Sequence, residues 1–386
     1  MIQVSSIRLH QLRKFEEFSV EDLNSNLNIF VGPNARGKTT ILESLALITS
    51  LKSFRTSKNL ELIQNGKTEA SVTIKLYTPT ASKIVLAIEA HRKAIKMDEK
   101  QITPRSKFPF LGSSVSFGPD DLYLIKGGPD GRRDFLDELS IGLDPSVLKI
   151  IQRFERVLKQ RNKLLNLIKN GGSCFEEYSI WTKEFLDAAI PLYKERFKTV
   201  SILNEKLNKI FKDLFQINES VSVTYKHSLS TEDDVAGALS EKIDQLSDAE
   251  KAVGYTLVGP HRDDLIFKID QMEARDYASQ GQIRGIVIAL KVAQLELTRD
   301  HRNWSPILLL DDIISELDDQ RVEALVEYLS NYPGQLFVTT AEVNKVKALH
   351  SKFSGFKLVD LGAQKLKILR PENAPERPLQ FSVEQV

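Results

Sequence analysis

Residues 1–90 show the two-residue alternation of apolar and polar positions that is typical of β-strands. Residues 27–31 alternate before a glycine-containing turn, and the apolar positions over 40–47 have the spacing of a helix. Residues 72–76 and 84–88 alternate on either side of a short segment with Thr and Pro, which predicts a hairpin. The N-terminal region is therefore expected to be β-rich around one early helix.

The pattern changes to a helical period from about residue 130. One apolar face, which ends before the Gly171-Gly172 pair, consists of Ile151, Phe154, Leu158, Leu165 and Ile168. A second apolar stripe repeats every seven residues, at Leu186, Tyr193, Val200, Leu207 and Leu214. Pro191 is expected to kink the start of this helix. Roughly 28 helical residues make an arm of about 42 Å, which predicts a short helical lobe.

Composition restricts the class of protein. The 386 residues suffice for more than one compact unit, and 41% hydrophobic content suffices for ordinary cores. The sequence has no run of 18 apolar residues and no apolar signal segment at its start, and its one cysteine, Cys174, excludes intrachain disulfides and zinc clusters. These features predict a cytoplasmic protein. The net charge of +1 excludes a globally basic coat, so any DNA contact requires local patches.

Residues 32–39 read Gly-Pro-Asn-Ala-Arg-Gly-Lys-Thr and fit the phosphate-binding pattern G-x-x-x-x-G-K-[ST], between a predicted strand and a predicted helix. Glycines let backbone N–H groups surround phosphate oxygens, and the helix N-terminus adds partial positive charge. Lys38 is placed to reach the β- and γ-phosphates, and the Thr39 hydroxyl to ligate Mg²⁺. The predicted nucleotide-binding residues are Gly32, Pro33, Asn34, Ala35, Arg36, Gly37, Lys38, Thr39 and Thr40.

Residues 307–312 form a predicted buried strand of four apolar residues that ends in two carboxylates. In phosphate-loop enzymes such a strand lies beside the loop and offers an aspartate to the Mg²⁺ shell. We assign that role to Asp311. Asp312 is then expected to be the base that activates water, so the predicted catalytic residues are Lys38 and Asp312.

Residues 277–284, Tyr-Ala-Ser-Gln-Gly-Gln-Ile-Arg, open an apolar helix and resemble the signature motif of the ABC ATPase superfamily. Residues 315–318, Ser-Glu-Leu-Asp, resemble its D-loop. In that superfamily two heads dimerise head to tail, and the signature of one head caps the γ-phosphate held by the other. The resemblance implies roles in trans for Ser279, Gly281 and Gln282, with Asp318 in the D-loop. Considered alone, Ser279 would be an ordinary helix cap.

The long interval between Lys38 and Ser279 leaves room for an inserted domain, which is the layout of the SMC-like branch. The predicted fold class is α/β, an ABC-type ATPase head with an inserted helical lobe. The head is expected to comprise residues 1–130 and 253–371, the lobe residues 131–252, and a frayed tail residues 372–386.

Within this branch the chain resembles the RecF family, and the matching stretches keep the family's order along nearly the whole chain. They are residues 12–15, 32–39, 53–56, 118–122, 131–137, 259–264, 279–282 and 310–318. The resemblance implies an ATP-dependent homodimer that binds gapped, single-stranded or double-stranded DNA in replication, gap repair and the SOS response, with RecO and RecR as partners. Asp312 replaces the usual longer glutamate, so ATP hydrolysis is expected to be weak, DNA-stimulated and switch-like.

Three features depart from related patterns. Arg36 stands where the family more often has Gln, and residues 117–121 lack the Gln that other ABC proteins place near Mg²⁺. Thr339-Thr340 stands where a transporter subunit has its switch histidine. The alternative, the nucleotide-binding subunit of an ABC transporter, would need a compact head and a transmembrane partner, and both the insertion and Thr339-Thr340 disfavour it.

Two basic segments are candidates for DNA contact. Residues 149–169 carry seven Lys or Arg residues and one acidic residue. Residues 92–107, which are expected to be a loop or insertion, carry six Lys or Arg residues and two acidic residues. A solvated basic face is the favoured interpretation of each segment. On the DNA interpretation the contacts are Arg153, Arg156 and Arg161. His261 in the 259–264 stretch fits a hydrogen-bonded structural loop better than a metal site or base. Arg13 and Arg55 could reach phosphates or lie at the surface.

Overall fold

The computed structural model describes residues 3–77, 83–103, 108, 110–172, 175–342, 352–353, 355–362 and 368–369. The predicted tail at 372–386, Cys174 and the loop between residues 78 and 82 lie outside the described residues. Within the described part, strands form three sheets, and one continuous hydrophobic core joins them to the helices.

The first sheet is antiparallel, in the order β2-β1-β4-β5-β6-β7. Its strands are β1 (Val4–Leu12), β2 (Phe15–Val20), β4 (Glu69–Leu76), β5 (Lys83–Glu89), β6 (Lys93–Met97) and β7 (Lys100–Gln101). The pairing of β4 with β5 confirms the predicted hairpin.

The second sheet has five parallel strands with one antiparallel edge strand, in the order β15-β14-β3-β13-β12-β8. Its strands are β3 (Leu27–Val31), β8 (Ser114–Phe117), β12 (Ile307–Asp311), β13 (Leu336–Thr340), β14 (Phe356–Asp360) and β15 (Ile368–Leu369). Strands β3, β12 and β13 are buried along their whole length, which explains why their sequences are nearly continuous apolar runs. Helix α1 (Lys38–Ser50) packs on this sheet.

The remaining elements surround the two sheets. Strands β9 (Val221–Lys226), β10 (Asp264–Ile269) and β11 (Met272–Glu273) form the third sheet. The helices before it are α2 (Tyr123–Lys126), α3 (Pro129–Leu143), α4 (Val147–Lys169), α5 (Phe175–Phe215) and α6 (Val235–Val253). The later helices in the described part of the chain are α7 (Ala274–Tyr277), α8 (Gln280–Arg302), α9 (Ile313–Glu316) and α10 (Asp319–Ser330). Short 3-10 turns lie at Asn59–Glu61 and Pro119–Leu122.

Two predictions about individual segments need correction. The loop expected at 92–107 is wrong over β6 and β7, which extend the first sheet as a hairpin. Ile95 is buried opposite Leu86, and the lysines around it hide this short alternation in the sequence. Helix α5 has 41 residues rather than roughly 28, so at 1.5 Å per residue it is about 62 Å long. The predicted stripe is correct, because its central positions are buried at Tyr193, Val200 and Leu207.

The helical segment is not separated from the head by a break in packing. Strand β9, which lies inside the predicted 131–252 insertion, pairs along its length with β10, which lies outside it. Helix α5 also packs against α8. The domain limits therefore stay a prediction. Among the described residues, no helix combines the length and apolar character that a membrane crossing requires.

Candidate functional site

The predicted phosphate-binding loop, residues 32–37, joins the carboxyl end of β3 to α1. Ligands of parallel sheets bind at this edge. Gly37 closes the loop with a φ of 92°, and a Cβ at this position would lie 2.4 Å from the Cζ atom of Phe15. Only glycine fits there. The loop therefore ends in the unpaired N–H groups of the first turn of α1, which can bind an anion.

Lys38 lies across the loop with its side chain largely buried. Its Nζ atom donates to the carbonyl oxygens of Gly32 at 2.7 Å and Pro33 at 3.1 Å, and it lies 3.5 Å from Oδ1 of Asn34. All three oxygens belong to neutral groups. Among the described residues, no carboxylate pairs with this ammonium group at the mouth of the loop, so its charge is available for phosphate oxygens.

Two hydroxyl groups hold the carboxylate at the end of β12. Asp311 Oδ1 accepts hydrogen bonds from Thr39 Oγ1 at 3.0 Å and from Thr339 Oγ1 at 2.7 Å. Because β13 lies between β3 and β12, Thr339 stands between the loop and Asp311. Burial raises the pKa of the Asp311 carboxyl, and the two hydrogen bonds oppose this rise. A hydroxyl and a carboxylate in direct contact fit a Mg²⁺ ion, which prefers oxygen ligands and takes few of them from protein.

Asp312 has different partners from those of Asp311. Its backbone adopts the left-handed conformation, with a φ of 52°. Its N–H donates to the carbonyl oxygen of Thr339 at 3.2 Å and to the Thr339 hydroxyl at 3.0 Å. Its Oδ1 atom accepts from the hydroxyl of Ser315 at 2.8 Å. The two adjacent carboxylates are thus held separately, which is compatible with separate roles.

Glu43 links residues 12–15 to residues 53–56, two of the stretches that carry the family resemblance. No prediction from the sequence included this residue. It lies in α1 and its side chain is 0% exposed. Arg13 donates to both of its oxygens, from Nε at 3.0 Å and Nη2 at 2.7 Å, and the Ser53 hydroxyl donates to one of them. Arg55 lies 3.7 Å from the same carboxylate, and its side chain is 42% exposed. The only sequence signal was a single acid within the apolar helix pattern after the loop.

A cleft of about 920 Å³ opens beside Thr39 and Asp311. The stretch 118–121 forms one of its walls, and Gly118 lies against Asp311, where a Cβ would be 3.6 Å from the Asp311 Cβ. Its lining also includes Arg55 and residues of helix α3. An ion pair of 2.7 Å between the buried Lys291 and the partly exposed Asp121 ties the stretch to α8. The cleft thus connects the predicted Mg²⁺ site with the helical segment.

The signature segment forms the N-terminus of α8. The Ser279 hydroxyl accepts from the N–H of Gln282 at 3.2 Å, and the Gln282 side chain accepts from the N–H of Ser279 at 2.7 Å. This reciprocal pair is a capping box, so Ser279 is the helix cap that the sequence allowed. The Gln282 amide also donates to Glu219 at 2.6 Å. Ser279 itself is exposed at the surface.

Asp318 caps the next helix in the same way. Its Oδ1 atom accepts from the N–H of Arg321 at 3.0 Å at the start of α10. In the described part of the chain, the hydrogen bonds of Ser279, Gln282 and Asp318 do not involve residues 32–39. Within one subunit the structure therefore does not bring the signature and D-loop residues onto the loop.

The stretches 131–137 and 259–264 contact each other. Arg132 binds Asp264 through two hydrogen bonds, from Nε at 2.6 Å and Nη2 at 2.8 Å. Arg196 of α5 binds both stretches, through a carboxylate of the first and a carbonyl oxygen of the second. The two stretches therefore join α3, α5 and β10, which supports the structural interpretation of 259–264.

His261 fits this structural role. Its Nε2–H donates to the carbonyl oxygen of Thr256 at 3.2 Å, and burial lowers its pKa to about 4. Asp263 accepts from the Tyr225 hydroxyl at 2.7 Å, and burial raises the pKa of Asp263 to about 6. A half-buried histidine with a lowered pKa and a backbone partner suits a packed joint between elements.

Three arginines were predicted to contact DNA, and the prediction is wrong for Arg161. Its side chain is 0% exposed, and its guanidinium binds Glu250 at 2.6 Å and the Tyr178 hydroxyl at 2.9 Å. It belongs to the apolar face of α4, where the sequence pattern could not distinguish a paired core arginine from a surface one. Arg153 and Arg156 are exposed, and Arg153 pairs with Glu184 at 3.2 Å.

Comparisons with known proteins show the family to which the chain belongs. Residues 3–364 match the family described as RecF/RecN/SMC N terminal domain. The chain is 32% identical over 350 residues to the DNA replication and repair protein RecF of Geotalea uraniireducens, covering 89% of this chain and 94% of that protein. It is 34% identical over 349 residues to the protein of the same name from Microcystis aeruginosa, covering 86% and 92%.

Solved structures give the same grouping. The structure described as the recombination mediator protein RecF-ATP in the RecFOR pathway matches with a TM-score of 0.84 at 25% identity, over 95% of this chain and 98% of that one. A Smc head domain from Pyrococcus furiosus matches with a TM-score of 0.54 at 15% identity, over 96% of each chain, which shows the shared fold. The chain therefore belongs to the RecF family of DNA replication and repair proteins, with the fold of an SMC-type ABC ATPase head.

Proposed function

We propose that this protein binds ATP with Mg²⁺ through Lys38, Thr39 and Asp311. The observation that carries the proposal is the 3.0 Å contact between Thr39 and Asp311 next to the Lys38 ammonium group, whose partners in the described part of the chain are neutral oxygens. Bound Mg²⁺ neutralises charge on the terminal phosphates. Lys38 and the first N–H groups of α1 then hold the phosphate chain, while Thr339 keeps the Asp311 carboxylate in place. The RecF structure described as bound to ATP supports this assignment.

Titration with a fluorescent ATP analogue tests the site directly. Lys38→Ala removes the cation at the mouth of the loop, and we expect the affinity for the analogue to fall at least about a hundredfold, because charge-assisted contacts to phosphate are lost. Lys67→Ala is the matched control, since Lys67 is an exposed lysine that pairs with Glu16. Equal affinity in the Lys38 and Lys67 variants would refute the assignment.

The proposal extends to a second subunit. Ser279, Gly281 and Gln282 of one head cap the γ-phosphate on the other head, with Asp318 next to it. Two observations support this: Ser279 is exposed, and the hydrogen bonds of the signature and D-loop residues do not reach the subunit's own loop. ATP therefore promotes a head-to-tail homodimer. Asp312 acts as the base for slow hydrolysis, which reopens the dimer.

The dimer is proposed to bind DNA at gaps or junctions, with RecR and RecO as partners. Family membership supports the DNA role, and the relative described as a recombination mediator in the RecFOR pathway supports the partners. With a net charge of +1, each subunit has little long-range attraction for DNA. Dimerisation doubles the basic surface presented to one duplex, so ATP should raise DNA affinity. Arg153 and Arg156 on the exposed face of α4 are the proposed phosphate contacts.

A further inference from the structure

Arg321, in the first turn of α10, contacts both segments of the proposed trans cap. Its Nη1 atom donates to Asp318 Oδ2 at 2.5 Å, in addition to the backbone hydrogen bond from its N–H. A Cβ built on Gly281 would lie 3.0 Å from Nη2 of the same guanidinium and 3.4 Å from its Cζ. The planar group thus covers the glycine of the signature segment while it is bonded to the aspartate of the D-loop.

The same guanidinium also contacts the end of α5. Its Cζ atom lies 5.8 Å from the ring centroid of Phe215, the last residue of that helix. Phe215 and Phe211 pack against α8 at Gly285, where a Cβ would lie 3.4 Å and 3.2 Å from their rings. In the described part of the chain, Nε of Arg321 is buried without a hydrogen-bond partner. Packing against Gly281 and Phe215, and not hydrogen bonding alone, therefore accounts for the position of the side chain.

We propose that Arg321 is a positioning residue that fixes the signature segment, the D-loop and the end of α5 relative to one another. The inference rests on the proposed function, because only there do Ser279 and Asp318 face the nucleotide of a second subunit. Loops that are already fixed lose less conformational entropy when the second head docks. A displacement of α5 would be transmitted through Phe215 and Arg321 to both loops together.

A double-mutant cycle tests whether Arg321 and Gly281 act as one unit. Gly281→Ala requires the guanidinium to shift by a few tenths of an ångström, and Arg321→Ala removes the guanidinium. Each change is expected to weaken dimerisation with a slowly hydrolysed ATP analogue about tenfold. The double variant should be weakened about as much as the worse single variant, because the added methyl acts through the guanidinium that Arg321→Ala has already removed. Independent roles would multiply the two effects to about a hundredfold, and that result overturns the proposal.

Hydrogen exchange of the monomer without nucleotide gives a readout that needs no dimer. Arg321→Ala should accelerate exchange at residues 279–285 and 318–322, with Arg321→Lys intermediate because it keeps the charge but loses the planar contact. Arg299→Ala, which removes an arginine paired with Asp300 in the last turn of α8, is the control and should leave those segments unchanged. Unchanged exchange in Arg321→Ala contradicts the positioning role. If the wild type never dimerises, the proposed function is refuted. The exchange data on the monomer would still show whether Arg321 fixes the two loops.

Discussion

The buried ion pair between Arg161 and Glu250 gives the sharpest prediction for the stability of the helical segment. Both side chains are 0% exposed, and Glu250 also accepts from the N–H of Leu257 at 2.7 Å. Arg161→Met keeps much of the side-chain volume but leaves a buried carboxylate without its cation. Removing one partner of such a pair costs about 3–5 kcal/mol.

Arg153→Met on the same helix is the matched control. Arg153 and Glu184 are both about half exposed, so their ion pair contributes only about 0–1 kcal/mol. Glu250→Gln added to Arg161→Met should recover part of the loss, because a neutral amide keeps an acceptor for the Leu257 N–H without a buried charge. The order of stability is therefore predicted as wild type, then Arg153→Met, then the double variant, then Arg161→Met.

Urea unfolding followed by tryptophan fluorescence measures these differences, since Trp181 precedes Thr182, which accepts a hydrogen bond from Arg161. A loss of about 4 kcal/mol reduces the folding equilibrium constant about a thousandfold. If Arg161→Met is no less stable than Arg153→Met, the desolvation reasoning is wrong. A double variant less stable than Arg161→Met would show that the isolated carboxylate was not the source of the loss.

Three further predictions concern chemistry, DNA and pH. Asp312→Asn should keep nucleotide-driven dimerisation but lower ATP turnover at least about a hundredfold, because the proposed base is lost while Asp311 is still present to bind Mg²⁺. Normal turnover in a phosphate-release assay would reject Asp312 as the base. The double variant Arg153→Glu, Arg156→Glu should bind gapped DNA more weakly and with a smaller salt dependence in anisotropy measurements, while its nucleotide affinity stays unchanged. Unchanged DNA binding would show that the contacts lie elsewhere. His261 has a pKa lowered to about 4, so its contribution to stability is present above its unfolded value near 6.5 and is lost as pH falls towards 4. His261→Gln should therefore lose less stability than the wild type between pH 7 and pH 5, and equal losses in urea titrations would contradict this.

The proposed nucleotide site was the most predictable part of the structure from sequence. Its residues lie at the ends of buried parallel strands, and such strands place their carboxyl ends at one edge. Lys38, Thr39 and Asp311 therefore had to meet once β3 and β12 belonged to one sheet. Thr339 was noted in the sequence, but its bond to Asp311 depends on β13 lying between those strands, which no local pattern specifies.

Long-range polar pairing was the least predictable part. Glu43 and Arg161 are charged residues in helices whose apolar faces were correctly identified, yet both are buried by partners far away in sequence. Arg321 and Gly281 are 40 positions apart and meet only because α8 and α10 begin side by side. Periodicity describes which face of an element is buried, but it cannot name the partner of a buried charge.

Mixing two inactive variants tests the proposal that two heads share each nucleotide. Lys38→Ala lacks its own nucleotide site but keeps an intact signature segment, whereas Ser279→Arg keeps its nucleotide site but places a bulky cation at the cap. Light scattering with ATP and gapped DNA should show neither variant dimerising alone, while the mixture forms a dimer through its one complete composite site. A Ser279→Arg protein that dimerises as well as the wild type, or a mixture that stays monomeric when the wild type dimerises, would contradict the account.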